Sequence, residues 1–216
     1  MDSVMDLGVI VAGGAGTRLG AGVPKARVVL AGETLLERAI RTVAAVCDPI
    51  VTVTPRDRRP EARTNVEWVE DAPDGGGPLS GMVAGLAAEA YGRAIVLGVD
   101  FPFVRPSFLR SLLAALDASG AAAVIPAPAG IPQPLVAAFA PRAAAVFAAA
   151  HARGERSPSR AMMALDPHIL TDDVLVTLDG GLENLMNLNT PEDLAAAERT
   201  LAARSAARAA ARQARS

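Results

Sequence analysis

The chain has 216 residues, 51 % hydrophobic but only 3 % aromatic, with a formal net charge of -2; this suits one large domain, or a domain with a small appendage, that buries roughly 70–75 % of its unfolded surface without a disulfide or metal staple. The near-zero charge argues against a general nucleic-acid binder, which carries a marked basic excess. The single cysteine, Cys47, excludes an intrachain disulfide; no apolar run reaches the ~18–20 residues of a membrane span, and Asp2 and Asp6 precede an apolar run too short for a signal peptide, so the sequence reads as soluble and cytoplasmic.

In chain order, Leu7–Ala12 is a short apolar run ending in a glycine-rich turn, the pattern of a buried first strand. Glu33–Val46 has helical spacing, with Gly32 or Thr34 near its start, and leaves Cys47 as a small buried hydrophobe at the helix end. Ile50–Thr54 and Val66–Val69 are strand candidates, and Leu79–Ala90 is helical, opened by Pro78, which has no N–H to leave unpaired. Ala94–Val99 is a continuous apolar run leading into Asp100, as expected of a parallel strand covered on both faces. Pro106 opens a helix to Ala118; strands are predicted at Ala121–Ile125 and Pro134–Phe139, helices at Arg142–Ala152 and Ser157–Ala164, and a strand at Val174–Leu178. Pro191 opens a last helix that carries the chain to its end. This alternation predicts an α/β fold with a mostly parallel sheet and helices on both faces.

There is no internal repeat. The stretch from Ala195 is biased towards Ala and Arg, with Arg204, Arg208 and Arg212 four residues apart on one helical face. The division expected is a domain over residues 1–196 and a helical tail over 197–216. The arginines read as a solvated face suited to the negative end of the helix dipole, or as a docking or membrane-surface stripe with little apolar face to oppose it.

From Val11 to Lys25 the chain reads V-A-G-G-A-G-T-R-L-G-A-G-V-P-K. Ala12 leads into Gly13, Gly14 and Gly16 directly after the first strand; glycines let backbone N–H groups converge on an anion with no Cβ in the way. Arg18 and Lys25 add two cations, and loop and cations together read as a cradle for a triphosphate. The pattern is neither a P-loop, which ends in Lys-Ser or Lys-Thr, nor a dinucleotide fingerprint. Downstream, Asp100 sits at the carboxyl end of a buried strand, the edge where open α/β sheets bind ligands. It offers the hard oxygen that magnesium prefers, or it is a turn residue or helix cap.

The loop is similar to the A-G-G-x-x-x-R-[LM]-G-x-x-x-x-K signature of nucleotidyltransferases that activate sugars, isoprenoid precursors and molybdopterin. Asp100-Phe101-Pro102-Phe103 resembles their D-x-P-[FLM] segment, whose acid holds the catalytic metal. Asp71 followed by Gly75-Gly76-Gly77-Pro78-Leu79-Ser80-Gly81 resembles the D…G-P-L-[AST]-G segment of molybdenum cofactor guanylyltransferases, which holds the guanine nucleotide. Gln133-Pro134-Leu135 resembles that family's [EQH]-P-L segment, which faces the acceptor, and Asn187 to Leu194 resembles its N-x-N-T-P-x-D-[LF] segment.

The resemblance runs from Gly8 to Leu194. It implies a three-layer, Rossmann-like nucleotidyltransferase fold and a Mg2+-dependent transfer of GMP from GTP to the phosphate of molybdopterin. In that reading Arg18, Lys25 and Asp100 are catalytic, with Asp100 on the metal. The nucleotide lies on Ala12, Gly13, Gly14, Gly16, Lys25, Asp71, Pro78, Leu79 and Ser80, and the acceptor on Gln133, Pro134, Asn187 and Asn189. It also implies transient contact with enzymes that deliver or receive the cofactor, and no nucleic-acid or membrane partner.

Read without the resemblance, Asp71 is a loop residue in contact with solvent, and Asn189 or Thr190 caps the last helix. Arg153, Arg156 and Arg160, with Ser157 and Ser159, reach towards an anionic acceptor or form a helix start with a solvated face. His151 and His168 are surface or structural residues in helix or loop, remote from these motifs. Pro24-Lys25, followed by Arg27 and Val28, departs from the family's usual Asp-Lys; Pro-Lys is more usual in cytidylyltransferases and sugar nucleotidyltransferases. Two alternatives therefore stand beside guanylyl transfer: a cytidylyl- or sugar-phosphate nucleotidyltransferase of the same fold, and a nucleotide-binding module without catalysis.

Overall fold

The computed structural model describes residues 5–14, 16, 19, 20, 22–56, 66–71 and 77–213, and only the backbone of 208, 211 and 212. Arg18, Gly75 and Gly76 lie outside the described residues, as do the side chains of Arg208 and Arg212. Seven strands form the main sheet: β1 (Asp6–Val11), β4 (Ile50–Thr54), β5 (Glu67–Glu70), β6 (Arg93–Gly98), β7 (Ala123–Pro126), β8 (Val136–Phe139) and β9 (His168–Leu170). Their spatial order is β5-β4-β1-β6-β8-β7-β9. β2 (Val29–Leu30) and β3 (Glu33–Thr34) pair separately as a small antiparallel ribbon.

Six of the seven strands run in one direction and β8 runs against its neighbours β6 and β7. The reason is the connection. A parallel return needs a crossover of a dozen or more residues, and only Ala127–Leu135, with one 3-10 turn at Pro128–Gly130, separates β7 from β8. The longer passage from β8 to β9 holds α4 (Arg142–Ala152) and α5 (Pro158–Met162), and β9 lies parallel to β7.

Alternate strand residues feed two cores, which makes three layers. Ile10, Ile95, Leu97 and Val136 face α1 (Leu35–Ala44), α3 (Pro106–Ser119) and α7 (Pro191–Gln213), with Val43, Leu112 and Ala197 fully buried there. Val9, Val51, Val96 and Phe139 face α2 (Gly77–Ala88), α4 and α5. On that side Phe139 meets Phe147 edge to face, ring centres 5.3 Å apart, a preferred aromatic geometry.

Local chemistry sets the helix ends. Thr34 accepts from the Glu37 N–H while Glu37 accepts from the Thr34 N–H, a capping box that starts α1. Pro106 opens α3, and Gly120, with φ 62°, closes it in the left-handed conformation that glycine takes without a Cβ clash.

Val174–Leu178 is not a strand: Asp172–Leu175 forms the short helix α6, and the strand in this region is β9, just upstream. The alternation of Val174, Val176 and Leu178 points the wrong way, since Val174 and Val176 are exposed and Leu175, between them, is fully buried. His168 accordingly lies in β9, exposed and paired with Val124, while His151 is in α4. The last helix is continuous from Pro191 to Gln213, crossing the expected boundary at 196, with Leu194 and Leu201 packed against the core. Among the described residues no helix is long and apolar enough to cross a membrane.

Candidate active site

The carboxyl ends of β1, β4 and β6 lie side by side and form the floor of the site. One residue beyond β1, Ala12 N donates to Val53 O at 2.8 Å, and Val99 N, just past β6, donates to Val11 O at 3.2 Å. The glycine loop then rises off this edge and folds back, so that Lys25 N donates to Gly14 O at 3.1 Å. Gly16 permits the fold: its φ is 70°, and a Cβ there would lie 2.4 Å from Val23 O and 2.9 Å from Lys25 N. Leu19 and Ala26, both buried, anchor the loop at either side of the return.

The loop therefore delivers Lys25 to the rim, where its ammonium donates to Asn189 Oδ1 at 2.9 Å and pairs with Asp100 Oδ2 at 3.3 Å. The two charged side chains are only 14 % and 18 % exposed, so their attraction is less screened than that of a surface pair. The other carboxylate oxygen of Asp100 sits where Gly98 has no side chain; a Cβ on Gly98 would lie 2.5 Å from Oδ1. Asp100 O also accepts from Leu188 N at 2.8 Å, which ties the strand end to the Asn187–Asn189 segment.

Thr190 is the cap of α7, accepting from Asp193 N at 3.2 Å, and the Asp193 carboxylate accepts in turn from Asn189 N and Thr190 N, each at 2.9 Å. Those two N–H groups hold the Asp193 carboxyl below its ordinary range. Capping by Thr190 frees the Asn189 side chain for Lys25. The sequence motif contains Asp193 but gives it no role, although Thr-x-x-Asp spacing at a helix start is a recognisable capping signal.

Asp71 forms a second focus. It follows β5 and is buried, its N donates to Thr54 O at 3.2 Å, and its Oδ2 lies 3.0 Å from the position a Cβ would take on Gly13 and 3.9 Å from that on Gly81. The acid thus stands between the glycine loop and α2. Pro78 is exposed in the first turn of α2, and Ser80 is buried. Leu79 is fully buried in the core, so its side chain anchors α2 and offers nothing to a ligand.

On the acceptor side, Leu135 O accepts from Gly98 N at 2.7 Å, which brings Gln133-Pro134 alongside the strand that carries Asp100. Pro134 is buried, and the Gln133 amide turns back to Ile131 O at 3.3 Å rather than towards Asp100. Asn187 is exposed, two residues from Asn189. In the arginine cluster, Arg160 makes a two-pronged bond to Glu155 at 2.7 and 2.8 Å, and Ser157 caps α5. Arg156 donates to the carbonyls of His151 and Glu155. These contacts make a helix start with a charged face; the segment borders α2, since Arg156 O lies 3.6 Å from the Cβ position of Gly77.

No group of three or more His, Cys, Asp or Glu is gathered among the described residues. Asp100 offers one carboxylate at the rim. That donor set fits magnesium as it sits in phosphoryl-transfer sites, on one or two carboxylates with substrate phosphates and water completing the shell.

Comparison with known proteins agrees with this fold. Residues 8–169 match the family described as the MobA-like NTP transferase domain. The probable molybdenum cofactor guanylyltransferase of Natronomonas pharaonis is 32 % identical over 201 residues, 90 % of this chain and 97 % of that one. The crystal structure of molybdopterin-guanine dinucleotide biosynthesis protein A from Archaeoglobus fulgidus superposes with a TM-score of 0.78 at 29 % identity, covering 91 % of this chain and 98 % of the other. A 2-C-methyl-D-erythritol 4-phosphate cytidylyltransferase from Thermus thermophilus shares the fold, with a TM-score of 0.66 at 19 % identity over 91 % of this chain and 98 % of that one. By its sequence from β1 to β9, this chain belongs to the MobA-like NTP transferase family.

Proposed function

We propose that this protein is a magnesium-dependent guanylyltransferase that passes GMP from GTP to the phosphate of molybdopterin and releases pyrophosphate. The observation that carries the reading is the Lys25 ammonium, held between Asp100 and Asn189 at the carboxyl edge of the sheet by a glycine loop. Relatives that span nearly the whole chain and carry the name molybdenum cofactor guanylyltransferase support the choice of nucleotide and acceptor.

In the reaction, an oxygen of the acceptor phosphate bonds to the α-phosphorus of GTP as the bond from that phosphorus to the bridging oxygen breaks, and pyrophosphate departs with the electron pair. The acceptor is already an anion, so no general base is needed, and catalysis rests on positioning and charge. Glycine-loop N–H groups receive the triphosphate, and Lys25 exchanges its contact with Asp100 for phosphate oxygens, offsetting charge on the departing group. Arg18, from the same loop, adds a second cation. Asp71 accepts from the amino and imino hydrogens of the base or from ribose hydroxyls, and N–H groups at the start of α2 add donors. Asn187, Asn189 and the Gln133-Pro134 turn line the acceptor side. Magnesium, held by Asp100, would supply charge neutralisation across the reacting phosphates. The reading places the enzyme in the cytoplasm, in passing contact with proteins that supply its acceptor or take its product.

A thermal-shift comparison of GTP, CTP, ATP and UTP with magnesium tests the nucleotide. A ligand at a hundredfold its dissociation constant stabilises by about 2.7 kcal/mol, a rise in Tm of roughly 5–11 °C for a chain of this size. GTP is expected to give the largest rise. A rise with CTP instead would select cytidylyl transfer, the reading favoured by Pro24-Lys25, and no rise with any nucleotide would contradict nucleotide binding at this edge.

A further inference from the structure

The catalytic groups sit on three loops, and two of these are tied together from outside the family-matched stretch. The Asp100 loop continues through Phe103 into α3, and the Asn189 loop descends from the turn at Gly181–Leu185. α7 returns beneath both. Arg204, in its third quarter, lays its guanidinium over the Phe103 ring, 5.4 Å from the ring centre, and pairs with the Glu183 carboxylate. Phe103 is three residues beyond Asp100, and Glu183 six residues before Asn189. One side chain thus touches both loops.

The surrounding bonds run the same way. Asn184, fully buried, accepts from Arg105 N at 2.9 Å and donates to Asp179 O and Gly181 O at 3.0 and 2.9 Å. Arg105 pairs with Asp179, which also accepts from Ser107 Oγ at 2.6 Å. Nearer the site, Leu188 N donates to Asp100 O. At its other end α7 holds the Asn189 loop through Asp193. The helix grips that loop at both ends, and Arg204 extends the grip to the Asp100 loop. An exposed ion pair alone would count for little. Arg204, however, is two-thirds buried, and its guanidinium gains from a partly desolvated aromatic face as well as from Glu183.

We propose that Arg204 is a positioning residue for nucleotidyl transfer: it locks the Asp100 and Asn189 loops together so that both reach the Lys25 ammonium. The proposal rests on the functional reading above. It gives the arginine-bearing helix a role in kcat rather than in nucleotide affinity, because the glycine loop leaves from β1 and Asp71 follows β5 with its N bonded to Thr54 O of β4.

The test is Arg204→Ala, alone and combined with Asn189→Ala, measured by pyrophosphate release from GTP with molybdopterin as acceptor. Expected are a loss of about tenfold or more in kcat, since small misplacements near reacting groups are costly, and a KM for GTP within about threefold of wild type. On the Asn189→Ala background the same substitution should cost at most about threefold, because residues that act through one another are not additive. Amide exchange should quicken in segments 99–105 and 181–190 and stay slow in β1 and β6. Arg204→Lys, which retains charge for Glu183 but has no flat face for Phe103, should fall between the two and serves if the alanine variant fails to fold. A kcat within about twofold of wild type, or fully additive losses, would overturn the proposal, since a purely structural residue lowers stability without changing turnover per folded molecule. If wild type releases no pyrophosphate, the guanylyltransferase reading falls by itself, and the exchange measurement still decides: unchanged exchange in both segments overturns the positioning role.

Discussion

Gly98→Ala puts a methyl carbon 2.5 Å from Asp100 Oδ1 and 3.3 Å from Leu135 Cβ. The second contact is tight but tolerable; the first is not, and the movable partner is the end of the Asp100 side chain. Restoring ordinary van der Waals separation displaces the carboxylate by roughly 1 Å and breaks its 3.3 Å contact with Lys25. A 1 Å misplacement of a reacting group costs on the order of 100-fold in rate, equivalent to about 2.7 kcal/mol of barrier. The fold should barely register the change. Gly98 is not at positive φ, so alanine restricts the unfolded chain at no backbone strain, worth about 0.4–1 kcal/mol of stability that offsets the Leu135 contact. The assay is steady-state pyrophosphate release beside a urea melt: kcat should fall about 100-fold while the urea midpoint moves little. A variant with kcat within about threefold of wild type would refute the placement of Asp100 among the reacting groups.

Lys25→Ala should lower kcat by about two orders of magnitude or more, as loss of a charge stabiliser in a low-dielectric site does; a near-normal rate would move the triphosphate elsewhere. Cys47 is buried, and burial pushes its thiol up to about 12, so a thiol reagent at pH 8 should leave it unmodified in the native protein and react on unfolding; rapid native labelling would contradict its burial. Asp193 is held below its usual 3.8 by the Asn189 and Thr190 N–H groups. A carboxyl with a lowered folded pKa contributes stability in full above its unfolded pKa and loses it as pH falls through the folded one. Urea midpoints should therefore fall from about pH 4 downwards, less steeply in Asp193→Asn, and parallel profiles for the two would remove that contribution.

Much of the fold is legible in the chain because its signals are strong and local. Leu7–Val11 and Ala94–Leu97 are apolar throughout and are buried on both faces. Thr34 with Glu37, and Pro106 with Gly120, mark helix ends by their own hydrogen bonds and dihedrals. The misassigned stretch is one where periodicity is short and ambiguous: Val174, Val176 and Leu178 alternate, yet Leu175 carries the burial. β9 has only three residues and follows Pro167. Strand order and the reversed β8 depend on connection length and on sheet edges, which no single segment encodes.

The site divides in the same way. Lys25, Asp100 and Asn189 stand out by residue type and motif, but their meeting across 75 and 164 residues of sequence is a property of the sheet edge. Gly98 reads as one more small residue in a strand until the carboxylate is seen over it. Asn184 belongs to no motif, and Arg204 reads in the sequence only as one of three arginines along a helical face. Their importance lies in what they touch, the Arg105 N–H and the Phe103 ring, each contributed by a distant segment.

The most direct test of the central claim is to incubate the purified protein with GTP, magnesium and molybdopterin and to measure the guanine dinucleotide and the pyrophosphate together. The account predicts that the two appear in equal amounts with wild type, and that neither appears with Asp100→Ala although that variant remains folded. Pyrophosphate without dinucleotide, no product from wild type, or undiminished product from Asp100→Ala would contradict it.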